Sequence, residues 1–421
     1  MFSKFLFTPF VAAAVSFVAS GLSSSINLVS AEELCPVVPY TYTAAISTYP
    51  ELSTALSTLE NYAIASWFTD RSSSEERAGM LSRMLSQCPD DTRLSIVVYG
   101  IPNKDCAGGF SSSGSVTSTS GYQAFLKQLT DTIGDRKVLY VVEPDAVGLL
   151  TQDGGCGASA GYLENLKVAV AALSVNPNAE LYLDVGYWML AYPSTAAKVA
   201  TAMKQIGSAG RVKGITINTS NYRSNQECAG YCSTFQTAMG STDMSCIVDT
   251  SRNYNGNPTT AWCNVPTAGI GKPPTSNTGY SNLDYFMWIK PPGESDGECW
   301  GGPSAGSFFL GGFKLLWDQG YFVNEIGMPK IGETSSVVTT TPAPTTATPT
   351  AAPTTSWWIS TTVTTAPATT APATTAPVVA TSTPVVISAA TEAPATTGPV
   401  STISWSYASS ACKAKKRLRS L

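Results

Sequence analysis

The hydrophobic pattern of this chain switches repeatedly between two periods. Short, mostly apolar or β-branched runs recur at Ala63–Ser66, Leu94–Tyr99, Val138–Val142, Leu181–Leu183, Gly214–Ile217, Cys246–Val248 and Phe286–Ile289. Runs this short, without polar alternation, read as strands buried between two layers. Between them lie alanine-rich or amphipathic segments of helical length: Ser74–Leu85, Gly121–Ile133, Ala160–Leu173, Ser194–Ile206 and Tyr231–Met239. Strand and helix in alternation predict an α/β fold with a parallel sheet. Seven or so units in one domain favour a distorted TIM-like β/α barrel over a doubly wound open sheet. No glycine-rich phosphate loop follows any of the strands, which weighs further against a dinucleotide-binding sheet.

This pattern is confined to residues 35–332. Ahead of it, Lys4 precedes an apolar stretch from Phe5 to Val18 and small residues recur to Ala31, so residues 1–31 read as a cleaved secretory leader. Behind it, residues 333–411 are Thr, Ala and Pro repeats such as Ala366-Pro367-Ala368-Thr369-Thr370. Such a composition cannot bury enough apolar surface to offset its ordering entropy, and it predicts an extended, O-glycosylated stalk. Residues 412–421 form a basic tail, read as a solvated end. No later segment is long and apolar enough for a transmembrane span, and a hydrophobic terminal signal for a lipid anchor is absent. The expected location is therefore secreted, extracellular or associated with a cell wall.

Composition then narrows the chemistry. The 421 residues include no histidine, which excludes a Ser-His-Asp triad, a Cys-His pair and any histidine-ligated metal. No metal or other cofactor is expected. The formal charge is −4, and five basic residues sit in the last nine positions, so the rest is clearly acidic and no nucleic-acid partner is expected. A monomer is expected. Ten cysteines in a secreted chain predict disulfides.

Carboxylates remain as the main acid–base groups, and they recur where the strands end. In β/α barrels the working residues lie on the loops after the strands. Here those loops carry Asp105, Asp145, Asp184, Asn218 and Asn221, Asp249 and Arg252, then Lys290, Glu294 and Asp296. Val138–Val142 runs straight into Glu143-Pro144-Asp145. Pro144 disfavours helix at Glu143 and lacks an N–H, so the chain leaves the sheet there and presents an acid at the rim.

Several segments together resemble one family. They are Tyr140-Val141-Val142-Glu143-Pro144-Asp145, Asp184 at the end of the next strand, Asp249-Thr250-Ser251-Arg252, Trp262-Cys263-Asn264, Pro274–Gly279 and Trp288–Gly297. In order and approximate spacing they are similar to the glycoside hydrolase family six cellulases, over Trp67 to about Phe322. The resemblance implies a distorted seven-stranded barrel that hydrolyses β-1,4-glucan with inversion. It implies Asp145 as general acid, Asp105 as the neighbouring acid that tunes it, and Asp296 as candidate base. Either Asp296 acts directly, or Asp105 and Ser111 relay the proton through water. Tyr99 matches the tyrosine beside the reacting sugar, and Arg252 and Lys290 would keep Asp296 ionised. Trp67 and Trp262 match sugar platforms, Asn221, Lys290 and Glu294 match polar sugar contacts, and Asp184 matches a supporting acid within the substrate site. Glu143 reads as a structural carboxylate at the strand end.

The resemblance also implies the disulfides Cys106–Cys156 and Cys263–Cys299. Cys35 with Cys88 is a plausible third, and Cys228, Cys232 and Cys246 leave one thiol over, for which Cys412 is a partner to consider. Two positions depart from the family pattern: Tyr187 stands where a histidine is usual, and Gly100 where an acid is common. The segment Asp296-Gly297-Glu298-Cys299 leaves no room for the long loop that roofs the cleft in the family's cellobiohydrolases. An open cleft and endoglucanase action are therefore expected, with a cellobiohydrolase or a non-catalytic glucan-binding wall protein as alternatives. The sequon Asn218-Thr219-Ser220 falls at the end of the fifth strand, on the expected cleft floor, and is not expected to carry sugar.

Overall fold

A computed structural model describes Glu32 and residues 34–257 and 259–333. The expected leader, the basic tail with Cys412, and all but the first residue of the expected stalk lie outside the described residues. Seven strands form one sheet in sequence order: β1 (Ser66–Thr69), β2 (Leu94–Tyr99), β3 (Val138–Val142), β4 (Ala179–Asp184), β5 (Gly214–Ile217), β6 (Ser245–Asp249) and β7 (Leu283–Met287). Every neighbouring pair is parallel. The sheet curls until its two edges meet through a single parallel bridge, Ile64 with Trp288, where the Ala65 N–H donates to the Trp288 carbonyl at 2.9 Å. The fold is thus the expected distorted TIM-like α/β barrel, closed by one bridge rather than by a full ladder.

Strand parity explains both the core and the site. Val97 and Tyr99, Leu139 and Val141, Tyr182, Ile247 and Met287 pack together inside the barrel. Their neighbours Ile96, Val98, Tyr140, Val142, Leu181, Leu183, Ile215, Ile217 and Val248 face the helices in the larger outer core. Side chains two apart along a strand share a face, so Asp184 follows Tyr182, and Asp249 follows Ile247, onto the inner face at the carboxyl rim.

The helices of the outer layer are α3 (Ser74–Gln87), α4 (Thr119–Ile133), α6 (Tyr162–Leu173), α7 (Pro193–Gly207) and α8 (Asn225–Met239), close to the predicted ones. α8 begins six residues earlier than predicted. Its start is a capping box in which Ser224 and Glu227 satisfy each other's backbone N–H groups. A short α5 (Ala146–Thr151) follows β3 directly. A further layer was not read from the sequence: α1 (Tyr40–Thr48) and α2 (Ser53–Leu59) pack with α9 (Leu310–Asp318) and α10 (Tyr321–Asn324) around Trp288, Trp317 and Phe322. This layer covers the seam where the sheet edges meet.

Four disulfides form among the described residues: Cys35–Cys88, Cys106–Cys156, Cys232–Cys246 and Cys263–Cys299. The first two and the last are as expected. Cys232–Cys246 ties α8 to β6, and among the described residues Cys228 is the buried free thiol. No helix among the described residues is long and apolar enough to cross a membrane.

Candidate active site

The rim of the sheet is built from backbone that most residues avoid. Asn103, Asp105, Glu143, Asp145, Asn218, Ser220 and Asn264 all have positive φ, between 45° and 74°, and all lie on loops after strands. Such conformations cost on the order of 1–3 kcal/mol each and persist only where the surroundings impose them, as at functional sites.

At the end of β3 the two acids part company. Glu143 is wholly buried, accepts the Tyr122 hydroxyl at 2.6 Å and takes the Gly100 N–H on both oxygens. Burial raises its pKa to about 7 against the opposing pull of these bonds. It anchors β2 to β3 and α4 and is the structural carboxylate expected. Asp145 starts α5 at φ 65°, yet its side chain caps nothing. Its backbone N–H donates to Asp184 Oδ1 at 2.7 Å, which fixes the turn and leaves the half-buried carboxyl unspent. Burial and then the charge of Asp105 push its pKa up to about 7.

Asp184 is almost fully buried and accepts the Thr219 hydroxyl on its other oxygen. Burial and the Asp145 charge hold its pKa well above the usual carboxylate range. Its geometry is that of a residue that positions Asp145, with little surface left for sugar. Asp249 is likewise consumed, taking the N–H groups of Ser220, Ser251, Ile289 and Lys290 and so tying together the ends of β5, β6 and β7.

Asp105 lies half-buried on the loop after β2, where its two oxygens accept the Gly108 N–H at 3.1 Å and the Ser111 N–H at 2.6 Å. The preceding Lys104 makes a buried ion pair with Asp70, just past β1, at 2.6 Å, and donates to the Ser113 carbonyl. That pair staples the loop to the rim.

Asp296 occupies the opposite electrostatic situation. Its Oδ2 receives the Arg252 guanidinium at 2.7 Å, the Asn264 N–H at 2.8 Å and the Tyr222 hydroxyl at 3.3 Å, and Lys290 Nζ lies 3.6 Å from Oδ1. Burial alone would raise its pKa, but Arg252 and Lys290 together hold it below the ordinary aspartate value. Arg252 and Lys290 are themselves buried, and burial draws the Lys290 pKa down. Tyr222 and Asn264 are the partners of Asp296 that sequence reasoning missed. Asn264 stood within a quoted motif, but nothing local to either residue signals a contact with position 296.

The aromatic positions fall as follows. Tyr99 is buried at the rim with its ring edge-on to Trp67, 5.4 Å between centroids, and Trp67 donates its indole N–H to the Ile289 carbonyl across the seam. Trp262 is 39% exposed. Glu294 accepts the Thr41 hydroxyl at 3.0 Å, which connects α1 to this rim, and Asn221 donates to the Thr219 carbonyl. Asn218 is 2% exposed and spends its amide on the Asp249 and Arg223 carbonyls, so the sequon nitrogen is structurally committed.

The two departures have local reasons. A Cβ at Gly100 would come within 2.5 Å of the Phe125 ring, so no side chain fits. Tyr187 stacks on Tyr231 and lies under Arg223, an aromatic–cation arrangement that an imidazole would fill less completely.

The model for glycosyl hydrolases family 6 matches residues 37–318. The chain belongs to this family. Endoglucanase 1 of Streptomyces sp. (strain KSM-9) is 33% identical over 238 residues, covering 55% of this chain and 64% of that protein. A cellobiohydrolase of Podospora anserina is 30% identical over 258 residues, covering 52% and 64%. Endoglucanase A of Thermobispora bispora is 30% identical over 237 residues, covering 55% and 50%. The chain therefore spans half to two thirds of the length of these relatives. Among solved structures, the endoglucanase Cel6 of Mycobacterium tuberculosis, in complex with a methyl-cellobiosyl thio-cellobioside, superimposes with a TM-score of 0.60 at 25% identity over 69% of this chain and 98% of that one.

Proposed function

We propose that this family 6 chain is a secreted hydrolase of β-1,4-glucosidic bonds in cellulose or a related glucan, acting with inversion and mainly at internal bonds. The observation that carries the reading is the split between two carboxylates of one rim: Asp145 held near pKa 7 with its carboxyl unspent, and Asp296 held ionised by Arg252 and Lys290. Glycoside hydrolysis by inversion needs one protonated acid and one ionised carboxylate. Asp145 donates its proton to the leaving glycosidic oxygen, with Asp184 fixing its turn and Asp105 sustaining its protonation.

Asp296 carries so many donors that it is a weak base, since a depressed pKa lowers proton affinity. That favours Asp296 as a fixed negative charge beside the developing oxocarbenium, and Asp105 with Ser111 as the group that collects the proton of the attacking water. Tyr99 and Trp67 shape the place of the reacting sugar, and Trp262, Asn221, Lys290 and Glu294 line its approaches. The four disulfides suit an oxidising, extracellular setting. The two residues between Asp296 and Cys299, Gly297 and Glu298, pinned by the bond from Cys299 to Cys263, support an open cleft. The cellobiohydrolases among the relatives keep exo action as the second reading.

The test is release of reducing ends and loss of viscosity from a soluble cellulose derivative, with wild type and Asp145→Asn. The variant is expected to lose about 10²–10⁴-fold in turnover while still binding cello-oligosaccharide. Equal activity in the two proteins would overturn the assignment of Asp145. Cellobiose as sole product, without viscosity loss, would overturn internal cleavage, and a β-anomer as first product in a proton NMR time course would overturn inversion.

A further inference from the structure

One exposed side chain joins the two arms of this site. Phe110 lies on the loop after β2, five residues past Asp105 and next to Ser111, and it is 42% exposed. Its ring centroid is 5.8 Å from that of Trp262, with the planes at 64°, an edge-to-face contact. Its ring also lies against Gly297, the residue after Asp296: a Cβ there would come within 2.5 Å of the ring, and Gly297 has φ 154°, so both space and backbone keep this position bare. The Asp105 arm is thereby tied to the loops after β6 and β7, which supply Asn264 and Asp296.

We infer that Phe110 narrows the otherwise open cleft at one point between the Asp105 arm and the Asp296 arm, like a strap, and so selects slender, unsubstituted β-1,4-glucan over chains with bulky side groups. This deepens the reading proposed above and rests on it. Exposing two neighbouring aromatic rings to water is unfavourable unless something apolar covers them, and the C–H face of a glucosyl unit is such a cover. A chain passing beside the strap keeps the Phe110–Trp262 contact and adds to it. A chain carrying hydroxyethyl or carboxymethyl groups has to break it.

The test compares kcat/KM for cellohexaose and for hydroxyethylcellulose in wild type, Phe110→Ala and Phe110→Tyr. Removal of the ring should raise the polymer-to-oligosaccharide ratio about three- to tenfold, the factor one aromatic pair is worth, and tyrosine should restore the wild-type ratio. An unchanged ratio in Phe110→Ala would overturn the proposal. So would an equal fall on both substrates, which marks displacement of Asp105 instead. If wild type hydrolyses neither substrate, it is the hydrolase reading that fails. The strap is then decided by calorimetric Kd values for the same two ligands, with the same change in their ratio expected.

Discussion

At the scale of single residues, the proposed site gives chemically identical groups unlike surroundings. Asp145 and Asp296 are both rim aspartates, yet one is pushed up to about 7 by burial and by Asp105, and the other is pulled below its usual value by Arg252 and Lys290. A general acid must be protonated, so turnover is expected to fall as pH rises through about 7. Removing the Asp105 charge removes one of the two influences that raise Asp145. In Asp105→Asn the residual kcat/KM should therefore lose activity at lower pH than wild type, which a pH–rate profile would show. An alkaline limb that stays in place would exclude Asp105 as the tuning group. The rim position of Asp145 was legible from proline geometry and strand order, while its proposed role as acid came from the family resemblance. The supporting ring of Tyr222, Asn264 and Thr219 was not legible, since those contacts join residues 32 to 74 positions apart that carry no local pattern.

Among the elements, the strands that were easiest to read are those buried on both faces. Val138–Val142, Leu94–Tyr99 and Gly214–Ile217 match their predicted bounds, because nothing but burial explains so dense an apolar run. The first strand was placed three residues early, and the seventh two to three residues late. Ala63-Ile64-Ala65 is the apolar part, but it makes only the seam bridge, whereas the ladder is formed by Ser66–Thr69, whose polar ends hid it. In β7, Asp284 interrupts the run while receiving the hydroxyls of Tyr182 and Ser245. The loop after β2 depends on a buried pair rather than on pattern. Asp70→Asn would leave Lys104 buried without its counter-charge and should cost about 3–5 kcal/mol in chemical denaturation, against near neutrality for an exposed pair such as Lys127 with Asp131. A loss below about 1 kcal/mol would show that the loop does not rely on that pair.

For the whole molecule, the carboxylates set how stability follows pH. Glu143 and Asp145 are raised to about 7, and Asp184 and Asp249 are raised as well, so the folded chain binds more protons than the unfolded one from about pH 4 up to about 7. Where the folded state holds the extra protons, stability falls as pH rises. Asp296 acts in the other sense, adding stability above the ordinary aspartate range, but it is outnumbered. The urea midpoint is expected to be higher at pH 5 than at pH 7.5, and Glu143→Gln should flatten the difference. A midpoint independent of pH across that window would contradict the raised values.

The seam between β1 and β7 carries a consequence of a mechanical kind. A barrel laced all round by ladders has its girth set by register, and cannot widen without breaking many bonds at once. Here the girth hangs on the bridge from Ile64 to Trp288 and on the indole bond from Trp67 to Ile289, with a helical layer behind them. The molecule is a spring clip rather than a hoop: opening the seam would break the Ala65 and Trp67 bonds and leave the six parallel pairings intact.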